Sequence, residues 1–151
     1  MKEQELLKEP IMVDKERLPV NQAAGIIERA FKKTLKPEFW QTDFDKIYLV
    51  GAGAVACIRD IDGVSYMDKL AVAPELQGNG VGKQLLETVI DNHEALVWRS
   101  SGARPLEGYY QQYADLIYQG EDWIVYGCNI DEDLFSTMIE VVESIPDSFS
   151  E

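Results

Sequence analysis

Three glycines within five residues, Gly78, Gly80 and Gly82, stand where a strand-like run hands over to an amphipathic one. The run 66–72 has the β-branched and aromatic content of a strand and breaks at Pro74. From Val81 onward Leu85, Leu86, Val89 and Ile90 recur at helical spacing, and the apolar run 95–98 reads as the next strand. A glycine turn at such a junction lets the backbone approach a ligand closely, and the first amides of the helix have no helical carbonyl to bind. The stretch 77–83 is therefore predicted to be an anion site of the kind that suits phosphate. A tight turn without a ligand would use the same glycines, so the flanking residues decide between the two.

Two other phosphate loops do not fit. Only three residues separate Gly78 from Gly82-Lys83, and Gln84 stands where a Walker loop needs Ser or Thr. Gly51 and Gly53 follow a strand-like run as half a dinucleotide fingerprint would, but the polar turn Asp60-Ile61-Asp62-Gly63 comes too soon for the required helix. They read as a hairpin turn instead. What fits is Gln77-Gly78-Asn79-Gly80-Val81-Gly82, which resembles the Gln/Arg-x-x-Gly-x-Gly/Ala loop of the GNAT superfamily of N-acetyltransferases. Three further blocks narrow the resemblance to the acetyltransferase domain of N-acetylglutamate synthase of the vertebrate-like type. These are Tyr66-Met67-Asp68-Lys69-Leu70-Ala71-Val72, Leu96-Val97-Trp98-Arg99-Ser100, and Tyr109-Tyr110 followed by Trp123-Ile124-Val125-Tyr126.

Charge and length bound the alternatives. At 151 residues and 46% hydrophobic content the chain suits one domain with one mixed core. The formal net charge of −13 argues against nucleic acid or an anionic membrane as a partner. No apolar run is long enough to span a bilayer, and the charged start MKEQELLKEP is not signal-like, so a cytoplasmic location is expected. Cys57 and Cys128 lie in apolar segments without metal-ligand spacing; buried reduced thiols and no metal site are expected. No Lys or Arg follows Arg104, while the stretch beyond it carries eleven carboxylates. A polyanion would have to be held locally, by loop amides and Lys83, against that field.

Along the chain, a short strand is expected at 11–13 and a helix capped by Asn21 and running to about Lys33, with Ala24, Ile27, Ala30 and Phe31 buried. Lys32, Lys33 and Lys36 read as a solvated helix end. Strands at 46–50, 54–59 and 64–72 form a meander turned by Asp62-Gly63. The helix 80–93 crosses to a parallel strand at 95–100 and ends at His93, the single histidine, read as a dipole-stabilised position. A short helix at 106–114, a hairpin at 116–118 and 122–128, and an additional helix at about 131–145 capped by Asp131 complete the chain. The apolar stripe of that last helix needs a cover, either the chain's own sheet or a second copy, the latter giving a homodimer.

The resemblance implies an α/β GNAT fold over residues 1–151: a mixed, mostly antiparallel central sheet with a splayed parallel strand pair, and helices on both faces. It implies that acetyl-CoA enters between the splayed strands, held by the backbone near Leu70 and Val72 and by Gln77, Gly78, Asn79, Gly80, Val81, Gly82 and Lys83. It implies transfer of the acetyl group to the amine of an amino acid, L-glutamate first, as in arginine biosynthesis. Another small amine or amino acid, or a non-catalytic acyl-CoA-binding module, are the alternatives. Tyr110 matches the family's tyrosine that protonates the departing thiolate, with Tyr109 and Tyr113 as neighbours in the same run. Lys69 and Arg99 match its substrate-contacting cations. The family's Trp-Arg-Ser-Arg-x-x-Asn-Pro becomes Trp98-Arg99-Ser100-Ser101-Gly102-Ala103-Arg104-Pro105 here, so Ser101 replaces an arginine and Arg104 an asparagine. Arg104 is the candidate to restore the lost charge.

Overall fold

The computed structural model describes residues 11–13, 20–41, 44–51, 53–101 and 110–150, with the backbone alone for 11–13 and 20. The strands are β1 (Ile11–Val13), β2 (Thr34–Leu35), β3 (Lys46–Val50), β4 (Ala54–Ile61), β5 (Val64–Val72), β6 (Leu96–Ser100), β7 (Leu116–Gln119), β8 (Ile124–Cys128) and β9 (Phe149–Ser150). The helices are α1 (Val20–Phe31), α2 (Val81–Asp91) and α3 (Glu132–Ser144). Seven strands form one sheet in the order β1-β3-β4-β5-β6-β8-β7, and β2 pairs with β9 in a separate two-stranded ribbon.

The meander folds as its turns require. Gly51 has φ +52°, and the Gly53 amide donates to the Val50 carbonyl at 3.1 Å, closing the β3–β4 hairpin. Asp62 and Gly63 take φ of +53° and +89°, the two left-handed positions that a tight hairpin between right-twisted strands demands. β5 and β6 are parallel, joined by α2, and pair only at Ser65↔Leu96, Tyr66↔Val97 and Met67↔Trp98. Pairing ends at a β-bulge. On the other side of β5 the register passes from Cys57↔Lys69 to Ile58↔Met67, leaving Asp68 as an extra residue. A bulge bends its strand and re-aims the side chains beyond it. Met67 and Leu70 therefore share the α2 face of the sheet, whereas unbroken alternation would place Met67 with Lys69.

Apolar alternation fills both faces. α2 buries Val81, Leu85, Leu86 and Val89 against Ala56, Ile58, Met67, Leu96 and Trp98. On the opposite face α1 packs Ala23, Ile26 and Ile27 on Ile47, Val55, Cys57 and Ala71, and α3 packs Phe135, Met138 and Val142 on Tyr66, Val97 and Val125. The α3 stripe is thus covered by its own sheet. Asp131 caps α3 by accepting from the Leu134 amide at 3.0 Å, worth about 1 kcal/mol.

Several expectations are corrected. α1 begins at Val20, placing Asn21 inside the first turn rather than at the cap, and Ala23 and Ile26 are buried where Ala24 and Ala30 are only partly so. Lys32, at φ +57°, stops the helix before Lys33. His93 is not a solvated, dipole-stabilised cation. It is buried, with Nε2 3.1 Å from the Tyr48 hydroxyl and Nδ1 2.9 Å from Ser65 Oγ, and burial, then Lys46, lowers its pKa. Of the expected helix at 106–114, residues 106–109 lie outside the described residues, and of 110–114 only Tyr110 and Gln111 are helical. The pairing of Thr34 with Ser150 and Leu35 with Phe149 had no sequence signal at all.

Candidate active site

The splay opens the sheet. Beyond Met67 the β6-facing backbone edge of β5, residues 68–72, has no strand partner, and two cavities meet there. The larger, about 650 Å³, runs from the end of α1 past Leu70, Ala71 and Val72 to Gln77, Gly78, Gly80, Gly82 and Lys83. The smaller, about 120 Å³, is lined by Lys69, Trp98, Arg99, Ser101, Tyr110 and the segment that follows α3. Phe31 and Leu70 belong to both, so the two cavities adjoin at these residues.

At the loop the local chemistry is that of an anion site. Gly80 sits at the start of α2 with φ +80°, no side chain caps the helix, and the first helical bond is from the Gln84 amide to the Gly80 carbonyl at 3.0 Å. The amides of Val81, Gly82 and Lys83 consequently have no acceptor among the described residues, and Lys32 and Lys83 add positive charge nearby. Gly82 stands close to β5: a Cβ there would lie 3.2 Å from Val72 Cγ2, a tight contact that would need Val72 to shift. Gln77 donates from Nε2 to the Val72 carbonyl at 3.0 Å, tying the loop to the open edge of β5. Two residues of the expected set do not line the cleft with their side chains: Val81 is fully buried beneath α2, and Asn79 points to solvent.

The smaller cavity is built from groups distant in sequence. The Lys69 ammonium, which is buried, donates to Asp68 Oδ1 at 2.8 Å and to Ser148 Oγ at 2.9 Å, and lies 5.3 and 5.4 Å from the ring centres of Phe39 and Phe149. Arg99 stacks on Trp123, with Cζ 3.7 Å from the ring centre. Its Nη1 donates to the Val142 and Ile145 carbonyls, each at 2.7 Å, and Nη2 to the Pro146 carbonyl at 3.2 Å. That is the orphaned carbonyl end of α3, where a guanidinium is favoured by both hydrogen bonding and the helix dipole. The two cations that sequence assigned to a substrate thus each have partners within the chain.

Tyr110 is buried beside Trp98 and Tyr126, at ring separations of 5.8 and 5.4 Å, and lines the smaller cavity. Tyr113 lies elsewhere, its hydroxyl donating to Glu87 Oε2 at 2.8 Å and its pKa pushed up to about 12, first by desolvation and then by that carboxylate. Tyr109 and Arg104 lie outside the described residues. Trp98, stacked on Tyr126 at 5.5 Å, has an indole Nε1 with no hydrogen-bond partner among the described residues. Cys57 and Cys128 are buried free thiols, Cys57 directly across the strand pair from Lys69, and burial raises the pKa of each. Asp147 and Phe149, absent from the sequence reading, also line the smaller cavity, and Ser148 between them accepts from Lys69. The only signal for them was an aromatic in an otherwise polar terminal stretch.

The same arrangement is found in known proteins. A family model described as NAT, N-acetyltransferase, of N-acetylglutamate synthase matches residues 15–145. The mitochondrial N-acetylglutamate synthase of Danio rerio is 25% identical over 142 residues, which is 89% of this chain and 27% of that protein. The chain thus spans about a quarter of the length of the curated relatives it matches. Among solved structures, the ribosomal-protein-S18-alanine N-acetyltransferase of Escherichia coli superposes with a TM-score of 0.62 at 15% identity, covering 82% of this chain and 97% of that one. A Bacillus subtilis acetyltransferase in complex with CoA gives 0.62 at 13% identity, covering 82% and 100%. The open parallel pair, the glycine loop at the head of α2 and the family match over most of the chain converge: this chain has the GNAT fold and belongs to the N-acetyltransferase domain family of N-acetylglutamate synthase, a family of acetyl-CoA-dependent acetyltransferases.

Proposed function

We propose that the chain transfers the acetyl group of acetyl-CoA to the amine of an amino acid, with L-glutamate as the first candidate. The observation that carries this reading is the meeting of the two cavities at Leu70 and Phe31, on the open edge of β5. The loop amides and Lys83 hold the phosphates, the unpaired β5 backbone from 68 to 72 holds the pantetheine arm, and the thioester reaches the junction. There the neutral amine of the acceptor attacks the carbonyl carbon, backbone N–H groups steady the developing oxyanion, and the C–S bond breaks as the N–C bond forms. The amine loses a proton to solvent, and the departing sulfur takes one from the Tyr110 hydroxyl, which is then reprotonated from water.

Glutamate is favoured by the family and by the cations around the smaller cavity, Lys33, Lys69 and Arg99, with Arg104 beyond the described residues. A second reading, another small amino acid or amine, is supported by the internal partners of Lys69 and Arg99 and by the small volume of about 120 Å³. The deciding experiment is CoA release from acetyl-CoA with each of the amino acids and with polyamines. Glutamate should give the fastest turnover. Faster turnover with a neutral amino acid or a polyamine would overturn the acceptor and keep the acetyl transfer. Tight acetyl-CoA binding without any acceptor-dependent release would leave only a binding module. Replacing Arg104 by Ala should raise the KM for glutamate at least tenfold and leave that for acetyl-CoA unchanged, the scale of one charged hydrogen bond.

A further inference from the structure

Residues 146–150 lie just beyond the segment that matches the family, yet they close the acceptor side. Three independent ties hold this strap in place. Arg99 binds its root at the Ile145 and Pro146 carbonyls, the Lys36 amide donates to the Ser148 carbonyl at 2.8 Å, and Leu35 and Thr34 pair with Phe149 and Ser150. The strap also supplies the last partner of the Lys69 ammonium, Ser148 Oγ, and buries the Phe149 ring beside it. A segment anchored at both ends presents its side chains in fixed positions.

One of those side chains has unused capacity. Asp147 lines the cavity with Tyr110 and Trp98, and its Oδ1 accepts from the Phe149 amide at 3.0 Å. Among the described residues no cation pairs with it, and the second carboxylate oxygen has no partner there. The other carboxylate of the cavity, Asp68, is already bound by Lys69 and faces Arg59 at 3.7 Å. The rim therefore carries one anion with no cation paired to it among the described residues, and the same cavity is lined by exposed Lys33, whose ammonium lies 5.9 Å from the Phe149 ring centre. That pair of charges is complementary to a zwitterion. We propose that Asp147 binds the α-ammonium group of the acceptor, and so selects α-amino acids over acids of the same shape that lack the amine. The inference rests on the amino-acid reading of the site and names the residue that recognises the amine.

Asp147→Asn tests it cleanly, because an Asn Oδ1 can still accept from the Phe149 amide while the charge is gone. Wild type and D147N are compared for acetyl-CoA affinity, thermal midpoint, and binding of the best amino-acid acceptor against its deaminated acid, glutarate in the case of glutamate. Expected are unchanged acetyl-CoA affinity and midpoint, about tenfold weaker binding of the amino acid, and unchanged or tighter binding of the deaminated acid. The preference for the amine collapses. Wild-type affinity and preference in D147N overturn the assignment, as does a wild type that binds both acids equally. If wild type acetylates no amino acid at all, the underlying reading falls, an outcome distinct from an indifferent D147N.

Discussion

The two cavities are built on opposite plans. The cofactor cleft draws its anion site from one short contiguous stretch, 77–83, and from main-chain amides whose direction is set by the helix they begin. The acceptor cavity draws on the end of α1, the bulged middle of β5, the end of β6, the residue Tyr110 and the strap after α3. Its charged groups are side chains held by other side chains and by carbonyls far away in sequence. The first plan is insensitive to side-chain identity apart from the glycines, as suits a cosubstrate common to a whole superfamily. The second changes with every substitution, as the acceptor role proposed for it would require.

The sharpest test of that division is Tyr110, which lines the smaller cavity and for which we propose a role at the cosubstrate's sulfur. Tyr110→Phe should lower turnover by about 10²-fold or more, the scale of general-acid catalysis, with acetyl-CoA affinity unchanged. A wild-type turnover number would return the proton to water or to Tyr109. On the cofactor side, Gly82→Val should weaken acetyl-CoA at least tenfold. Gly82 has no positive φ, so the variant can fold once Val72 yields by a few tenths of an ångström, and its side chain narrows the cleft that both residues line. Unchanged acetyl-CoA affinity in a folded variant would remove the loop from the phosphate role.

Arg99→Lys separates charge from geometry on the acceptor side. A lysine cannot fork to three carbonyls or stack flat on Trp123, so the variant should lose about 1 to 3 kcal/mol of stability through α3 and the strap. Its acceptor KM should rise while its acetyl-CoA affinity stays put; a variant as stable as wild type would show that the carbonyl contacts contribute nothing. The smallest effect is expected from His93, which lines neither cavity. Because its folded pKa is lowered, the unfolded chain takes up the proton first, near pH 6.5, and the stability it gives at neutral pH is lost as pH falls below that value. Between about pH 7 and 5 the thermal midpoint of wild type should fall relative to that of His93→Gln. Parallel curves would mean that the imidazole titrates alike in both states.

Local chemistry made part of this molecule legible. The glycine loop, the Asp62-Gly63 hairpin, the Asp131 cap and the parallel pair all follow from interactions within a few residues or one crossover, where periodicity and turn preferences act directly. Tyr110 was preferred over its neighbours by resemblance alone; the structure places it on the smaller cavity, and Tyr109 lies outside the described residues. The α1 boundary was misplaced because Val20 can begin a helix as readily as Asn21 can cap one. The strap was invisible for a different reason: a two-residue ribbon has no period, and its energy comes from the Arg99, Lys36 and Lys69 contacts rather than from strand propensity.

By itself, then, the order of residues determined where the backbone must turn, where α2 and α3 begin, and that an anion site was to be expected at the head of α2. Only the tertiary structure decided the state of the charges. A buried ammonium must be paired, and the bulge at Asp68 aims Lys69 toward Ser148 and Phe149, more than seventy residues away. A guanidinium beside a helix C-terminus binds its carbonyls before it binds solvent, which commits Arg99 to α3. Which cations remain for a substrate is thus a property of packing, because desolvation forces each buried charge to find its partner inside the fold.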